Sequence, residues 1–279
     1  MKRVVNKSVT GFRTIDGAGV NLVRVLGHQT TKDYDPILML DSFDSQNPED
    51  YIAGFPMHPH RGIETISYIY SGKMTHRDSL GNEDTIGNGE VQWMTAGSGI
   101  MHEEKLPPAG RMLGVQLWLN MPAKDKMAPP AYNSVKNDHI KEITFDGGKL
   151  RLLAGKYGKH VGHEGKYLPI DFYDIHLDRN SKFTIEMEHD KSVILFTLIG
   201  DIEVEGKLIK EKTAAILSEG TEVTINSLDD NVQVLFISSN RLDEPISWGG
   251  PIVMNTREEL KLAFAELNRG TFLKSGVEY

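Results

Sequence analysis

The feature that most limits how this 279-residue chain can fold is a pair of short segments, each carrying two metal-ligand side chains one residue apart. The first is His58-Pro-His60 and the second is His102-Glu-Glu104. Side chains at i and i+2 of an extended strand point to the same face of that strand. We therefore expect both segments to be strands of one β-barrel, in which three imidazoles and the Glu104 carboxylate converge.

This set of side chains predicts a mononuclear metal site. Mixed imidazole and carboxylate sets with open coordination positions suit non-haem iron, and an octahedral ion bound by four ligands keeps about two positions free. We predict one divalent ion, Fe(II) in preference to Ni, Cu, Zn, Mn or Co. Each pair taken alone also fits a plainer interpretation, in which His58 and His60 are loop residues beside prolines and His102 and Glu104 are surface polar groups.

Composition excludes several other classes of function. The chain has no cysteine, so disulfides, thiolate metal sites and cysteine nucleophiles are ruled out. The net charge of -8 and the lack of a long Lys/Arg cluster disfavour direct binding to nucleic acid. No run approaches the roughly 20 apolar residues of a membrane span, and the first 16 residues lack an apolar segment. We expect a cytoplasmic location and no membrane partner.

Short strand-like segments separated by glycines recur along most of the chain, which predicts an all-β fold. Ile63 to Tyr70 and Leu113 to Asn120 are typical of buried strands, and a second series begins near Lys149. The proline-rich segment 121–130 is the best candidate for a linker. We therefore predict two domains, residues 1–130 with the metal site and residues 131–279 without metal ligands.

A weak internal duplication supports two similar units. When SYIYSGKMTHRD is set beside LFTLIGDIEVEG, Gly72 aligns with Gly200. On this alignment the first histidine pair falls at Glu186-Met-Glu188 and the next histidine falls near Asp230, so the second unit lacks the imidazoles.

One α-helix is predicted near the end of the chain. Thr256 and Glu259 form a capping box, and Gly270 ends an apolar pattern at i, i+3, i+4 and i+7. We expect this helix to pack against the outside of a barrel.

Several other polar residues lie near the predicted ligands. Glu64 shares parity with His58 and His60. Three roles fit it, namely a metal ligand, an acceptor for the N–H of a ligand imidazole, or a buried partner of a nearby Lys or Arg, and we prefer the acceptor. Glu103 has the opposite parity to Glu104 and is expected to face solvent or lie behind the ligands. His76 and Asp78 are expected to form a structural hydrogen-bonded pair.

The longer motifs resemble those of the pirin family of bicupins across nearly the whole chain. They are HPHRGIETISYIYSG, HRDSLGN, VQWMTAGSGIMHEE, GVQLWLN and GGPIVMNTREE. One departure is Gly89-Glu90, where the family usually has Gly-Asp. The resemblance implies two tandem cupin barrels of the jelly-roll, or double-stranded β-helix, type with a short C-terminal helix. It also implies metal binding by His58, His60, His102 and Glu104 in the first barrel only.

The same resemblance implies two alternative functions. In one, the protein is similar to quercetin 2,3-dioxygenase and opens a flavonol ring with O₂, with Glu104 as the catalytic group that accepts the proton of the flavonol 3-hydroxyl. In the other, it is similar to the nuclear pirins of eukaryotes, in which the iron-loaded protein binds a transcription factor or another protein partner and the iron redox state acts as a switch. We favour the enzyme, with a flavonol-like aromatic substrate.

Overall fold

The computed structural model describes residues 1–274, and these form an all-β protein with one α-helix, as predicted. The first twelve strands are β1 Val5–Thr10, β2 Phe12–Asp16, β3 Val20–Leu26, β4 Ile37–Ser45, β5 Phe55–His60, β6 Ile63–Ser71, β7 Met74–Asp78, β8 Glu83–Ile86, β9 Glu90–Thr95, β10 Ile100–Lys105, β11 Met112–Asn120 and β12 Ala131–Val135.

The remaining strands begin after residue 140. They are β13 Lys141–Phe145, β14 Gly148–Ala154, β15 Lys156–Tyr157, β16 His160–Val161, β17 Ile170–Leu177, β18 Lys182–Glu186, β19 Ser192–Ile199, β20 Ile202–Val204, β21 Lys207–Ile209, β22 Thr213–Leu217, β23 Glu222–Ser227, β24 Val232–Ser239, β25 Ser247–Gly249 and β26 Ile252–Met254. The helices are two short 3-10 turns, Pro48–Asp50 and Ala123–Asp125, and α1 Arg257–Arg269.

Two similar barrels are each built from a seven-stranded and a four-stranded antiparallel sheet. One barrel has the strand orders β12-β9-β6-β11-β4-β3-β2 and β5-β10-β7-β8, and the other has β1-β22-β19-β24-β17-β14-β13 and β18-β23-β20-β21. The orders match strand for strand when β5 to β11 are set against β18 to β24. Gly72 follows β6 and Gly200 follows β19, both at positive φ (109° and 73°), so these glycines occupy equivalent turns.

The two compact units are not continuous in sequence. One unit contains residues 13–22, 37–136 and those from 242 onward, and the other contains residues 1–12, 23–36 and 137–241. The predicted division into 1–130 and 131–279 differs from this grouping at both ends of the chain. The reason is strand pairing, because β1 pairs with β22, whereas β25, β26 and α1 group with the first series of strands.

The interiors of the two barrels differ in polarity. The barrel that contains β18 to β24 holds one continuous cluster of buried apolar side chains. In the barrel that contains β5 to β11 the apolar side chains form two separate clusters. On β11, Gln116 shares the face of Met112 in one cluster and Trp118 in the other. The strand parity therefore places a buried polar side chain between two apolar regions.

The C-terminal helix begins and ends where the sequence predicts. Thr256 caps its N-terminus in a complete capping box with Glu259, and Gly270 ends it in the left-handed conformation. Ala263 is buried with Ile252 of β26 and Phe272, so the helix packs on the β25-β26 hairpin. None of the described residues forms a helix long and apolar enough to cross a membrane.

Candidate metal centre

The predicted ligands lie on two neighbouring antiparallel strands. In the β5-β10 pair His58 lies opposite His102, and His60 lies opposite Ile100. His60, His102 and Glu104 are buried, whereas the intervening Glu103 is partly exposed. This alternation follows from the two-residue repeat of a strand, and it directs the His102 and Glu104 side chains to the barrel interior.

The three histidines form a compact cluster. One ring nitrogen of each lies within 4.8 Å of the others, and the ring centroids are 4.4 to 5.0 Å apart. His58 Nε2 lies 3.0 Å from His60 Nε2. Two nitrogens about 2.1 Å from one ion and at about 90° to each other are also about 3.0 Å apart. Glu104 is not a member of this group of ligand atoms.

The outward nitrogens of two histidines bond to backbone carbonyls. His58 Nδ1 lies 2.8 Å from the carbonyl oxygen of Pro56, and His60 Nδ1 lies 2.9 Å from that of Pro251. A carbonyl oxygen only accepts hydrogen bonds, so each Nδ1 must carry the proton, and each Nε2 keeps a lone pair. This tautomer, assigned from the partners, is the one that binds a metal through Nε2.

The third histidine presents an unused nitrogen to the cluster. His102 Nε2 is buried and has no hydrogen-bond partner among the described residues. An unpaired buried polar atom is costly, and a bound metal ion is one way to satisfy it. Together with the separation of His58 and His60, this shows that the donor set fits a divalent first-row metal ion.

The Nδ1 of His102 contacts a second histidine instead of a carbonyl. His102 Nδ1 lies 3.4 Å from His76 Nδ1, and His76 Nε2 lies 2.8 Å from Asp78 Oδ2. Tyr132 stacks on His76 at a centroid distance of 4.2 Å. Burial acts to raise the pKa of Asp78, but hydrogen bonds from His76 and Asn82 outweigh it and hold that pKa below its ordinary value. The predicted His76-Asp78 pair is thus present, and its histidine contacts the candidate ligand His102.

The cluster favours neutral imidazoles. Burial, and then the neighbouring His58, lower the pKa of His60 to about 3, although the Pro251 carbonyl opposes the shift. Burial and the surrounding histidines also lower the pKa of His102 well below its ordinary value. A histidine binds metal only in its neutral form, so these side chains are ready to bind a cation at neutral pH.

Glu104 is held by two glutamine amides. Gln92 Nε2 donates to Glu104 Oε1 at 2.7 Å, and Gln116 Nε2 approaches Oε1 and Oε2 at 3.0 and 2.8 Å. All three side chains are buried. Sequence reasoning missed both glutamines. Their signal was a polar residue inside an otherwise apolar strand, at VQWM and GVQLW.

Tryptophan side chains lie on one side of the cluster. Trp118 lies 4.9 Å from the His60 ring, nearly perpendicular to it, and Trp248 lies 5.6 Å from Trp118. His58 is partly exposed, and the neighbouring Met57 is 41% exposed. The cluster is therefore buried on its His60 and His102 side and opens to solvent on its His58 side.

Among residues 1–274, Glu64 forms no hydrogen bond with an imidazole, contrary to expectation. Its Oε1 accepts a hydrogen bond from Thr95 Oγ1 at 2.5 Å, and burial raises its pKa despite hydrogen bonds from Thr95 and Trp93. The reason is strand parity, because Ile63 and Ile69 of β6 belong to the interior clusters and Glu64 has the opposite parity. Glu103 is partly exposed, as expected, and lies near Arg77 and Lys105.

The comparisons with known proteins agree with this fold. The family model Pirin matches residues 19–119, and the model of the Pirin C-terminal cupin domain matches residues 172–273. A Pseudomonas aeruginosa protein provisionally named quercetin 2,3-dioxygenase is 40% identical over 271 residues, which cover 94% of this chain and 95% of that protein. The chain belongs to the pirin family.

Solved structures show the same pirin fold. A quercetin 2,3-dioxygenase from Acinetobacter baumannii is 32% identical, with a TM-score of 0.90, and the match covers 98% of this chain and 99% of that one. A bacterial pirin from Escherichia coli, solved in complex with nickel(II), is 18% identical, with a TM-score of 0.65 over 84% of this chain and 98% of that one. The second likeness concerns the fold alone.

The other barrel of this pirin has apolar side chains on the strands that correspond to those of the candidate ligands. The pairs Phe183-Ile225 and Ile185-Val223 face each other across β18 and β23, and all four side chains are in the apolar core. Glu186, which the sequence alignment set against His58, lies on the exposed face of β18. The alignment is therefore shifted by one residue at this strand.

A cavity of about 430 Å³ opens in that other unit. Asp171, Tyr173 and Phe236 are among its lining residues, which include lysines and carboxylates but no histidine. Its donor set differs from that of the histidine cluster, so this cavity is not the candidate metal centre.

Proposed function

We propose that this pirin binds one divalent metal ion and acts as a quercetin 2,3-dioxygenase-type enzyme that opens a flavonol ring with O₂. The observation that carries the proposal is the histidine cluster, in which one ring nitrogen each of His58, His60 and His102 lies within 4.8 Å of the others. In this proposal Glu104 is the fourth ligand. Fe(II) suits the mixed imidazole and carboxylate set, and Ni, Cu, Zn, Mn or Co are alternatives.

When bound, the ion would supply a Lewis acid that lowers the pKa of a flavonol hydroxyl, together with redox chemistry toward O₂. The chain's own residues position the reactants. Glu104 accepts the proton of the flavonol 3-hydroxyl, and the amides of Gln92 and Gln116 hold its carboxylate in place. Trp118 and Trp248 provide an aromatic wall beside His60, which excludes water and suits a planar aromatic substrate.

The experiment is a quercetin depletion assay with detection of carbon monoxide, run on iron-loaded and metal-free protein. We expect the loaded protein to consume quercetin and release carbon monoxide, and we expect His102→Ala to abolish both. Turnover that persists in the metal-free protein would refute the mechanism. Loaded protein that leaves quercetin intact, while its affinity for a protein partner changes on iron oxidation, would instead support the regulatory role.

A further inference from the structure

The three candidate ligands differ in what lies behind them. The Nδ1 atoms of His58 and His60 face carbonyl oxygens, which cannot donate a hydrogen bond. The Nδ1 of His102 faces His76 Nδ1, a ring nitrogen that is either donor or acceptor. Backbone carbonyls therefore fix the tautomers of His58 and His60, whereas a side chain must determine the tautomer of His102.

Asp78 determines the tautomer of His102 because its carboxylate has a fixed orientation. Its Oδ1 accepts hydrogen bonds from the backbone amides of Leu80 and Asn82, at 2.9 and 3.1 Å, in the turn after β7. Its Oδ2 accepts from His76 Nε2 at 2.8 Å and from the Asn82 side-chain amide at 3.0 Å. A carboxylate only accepts, so a neutral His76 carries its proton on Nε2 and presents a lone pair at Nδ1.

The position of the proton on His76 determines the position of the proton on His102. Because His76 Nδ1 is an acceptor, His102 must donate from Nδ1, and its Nε2 then keeps a lone pair. That Nε2 is the buried atom without a partner among the described residues. His76 is itself fully buried and held flat against Tyr132, so its ring has little freedom to turn away.

We propose that Asp78 and His76 are positioning residues that hold His102 in the tautomer able to bind a metal ion. This inference rests on the proposed metal site. It assigns the HRD segment a role that goes beyond stabilising the β7-β8 turn, since Asp78 acts on the metal through two intervening hydrogen bonds. Partners behind a ligand typically change metal affinity by about 10- to 100-fold when they are lost.

The sharpest test is Asp78→Asn. The backbone amides of Leu80 and Asn82 still require the side-chain oxygen, so the new amide NH₂ group points to His76. His76 must then accept at Nε2 and donate from Nδ1, which forces the proton of His102 onto Nε2. We expect the affinity for Ni²⁺ in calorimetric titration of the apo protein to fall by about 10- to 100-fold.

Two substitutions of His76 test whether His102 Nδ1 needs a hydrogen-bond acceptor at the position of His76 Nδ1. His76→Asn places a side-chain oxygen near the position of Nδ1 and retains an acceptor for His102, whereas His76→Leu has a similar size and no acceptor. We expect Ni²⁺ affinity to follow the order wild type, His76→Asn, His76→Leu. Equal affinity of the two variants would overturn the role of the acceptor.

The chain supplies a matched control in the other barrel. Asp174 and His176 form the same i, i+2 pair at 2.8 Å, and Gln233 also donates to Asp174. Asp174→Asn should change unfolding but leave Ni²⁺ affinity at the wild-type value. A loss of affinity in Asp174→Asn as large as in Asp78→Asn would show a general effect on folding and overturn the proposal.

A direct readout of the tautomer completes the experiment. Two-bond ¹⁵N–¹H NMR spectra of the apo protein should show the proton of His102 on Nδ1 in the wild type and on Nε2 in Asp78→Asn. The same tautomer in both would overturn the inference. Wild-type protein that binds no Ni²⁺ or Fe²⁺ would overturn the proposed metal site itself, whereas tight binding by every variant would overturn only the role of Asp78 and His76.

Discussion

A histidine cluster binds a metal only when each ring nitrogen that faces the ion is free of a proton. In this pirin the hydrogen-bond partner of each Nδ1 determines which ring nitrogen carries the proton. The partners are the carbonyls of Pro56 and Pro251 and the side chain of His76. Glu104 is oriented in the same way by two glutamine amides. At the scale of single residues, the groups behind the candidate ligands therefore set the chemistry.

Gln116 provides a test of this principle for Glu104. Gln116→Met removes, at similar volume, the amide that donates to both carboxylate oxygens, and only the Gln92 bond to Oε1 remains, so Oε2 loses its donor and Glu104 is less firmly oriented. We expect quercetin turnover by the iron-loaded protein to fall by about 10- to 100-fold. The control is Gln233→Met, which removes a buried glutamine donor to Asp174 in the other barrel and should leave turnover unchanged. Equal turnover in Gln116→Met and wild type would contradict the role of Gln116.

Lys126 makes the free energy of unfolding depend on pH. Its Nζ is buried and bonds to the carbonyl oxygens of Gly62 and Val253 and to Asn120 Oδ1. Burial lowers its pKa from 10.5 to about 7, although Glu244 and Glu259 oppose the shift. Between these values the unfolded chain holds a proton that the folded chain has released, so the free energy of unfolding rises with pH, by at most about 1.4 kcal/mol per unit. Below about pH 7 both states are protonated, and this contribution is constant.

Urea unfolding of the wild type and Lys126→Met between pH 6.5 and pH 9.5 measures this contribution. The slope of the free energy of unfolding against pH should be more positive in the wild type than in the variant. Identical slopes would show that the pKa of Lys126 is the same in the folded and unfolded chain.

At the scale of secondary-structure elements, the C-terminal segment is joined to the strand that carries His60. Arg61 donates to the carbonyls of Ser98 and Phe272, forms a 2.7 Å ion pair with Glu266 of α1, and lies 4.2 Å from the centre of the Phe272 ring. Pro251, just before β26, provides the carbonyl that faces His60. The β25-β26 hairpin and α1 therefore help to hold a candidate ligand.

Substitutions of the N-cap residue Thr256 test how much the cap of α1 contributes to the free energy of unfolding. Thr256→Ala removes the side-chain acceptor for the Glu259 amide and should lower the free energy of unfolding by about 1 kcal/mol. Thr256→Ser keeps the acceptor and should stay close to the wild type. Urea unfolding of the three proteins makes the comparison, and equal stability of Thr256→Ala and wild type would show that the cap does not limit stability.

At the scale of the whole molecule, each unit is completed by residues from the opposite end of the chain. In the unit that contains residues 137–241, Arg3 is fully buried and donates to the carbonyls of Glu188, His189, Lys191, Ser218 and Gly220. The N-terminal segment thus belongs to the barrel that lies later in the sequence.

Arg3→Leu tests this assignment. The change removes the Arg3 donor from five carbonyl oxygens, of which that of His189 keeps the Gly220 amide, and buried groups cost about 1–3 kcal/mol each when they stay unsatisfied. We expect a loss of at least about 3 kcal/mol in the free energy of unfolding. The exposed Lys2→Leu, which removes only a surface ion pair with Glu205, should change it by less than about 1 kcal/mol. Similar losses in both variants would contradict the assignment.

Local patterns explain which features the sequence predicts. The alternation in His58-Pro-His60 and His102-Glu-Glu104, the capping box at Thr256 and the turns at Gly72 and Gly200 are all encoded within a few residues. The pairing of β1 with β22 joins residues more than 200 positions apart, and nothing in residues 1–12 indicates the partner strand. Likewise, the contact of His76 with His102 depends on the pairing of β7 with β10, which strand parity alone does not reveal.

Elemental analysis after anaerobic reconstitution with Fe(II) and gel filtration measures whether the three histidines bind a metal ion. The comparison is between the wild type and the triple variant His58→Ala, His60→Ala, His102→Ala, each shown to be folded by its unfolding transition. We predict about one iron per chain in the wild type and none in the triple variant, because these imidazoles supply the nitrogen donors. Equal iron in the two proteins would show that His58, His60 and His102 do not bind the ion.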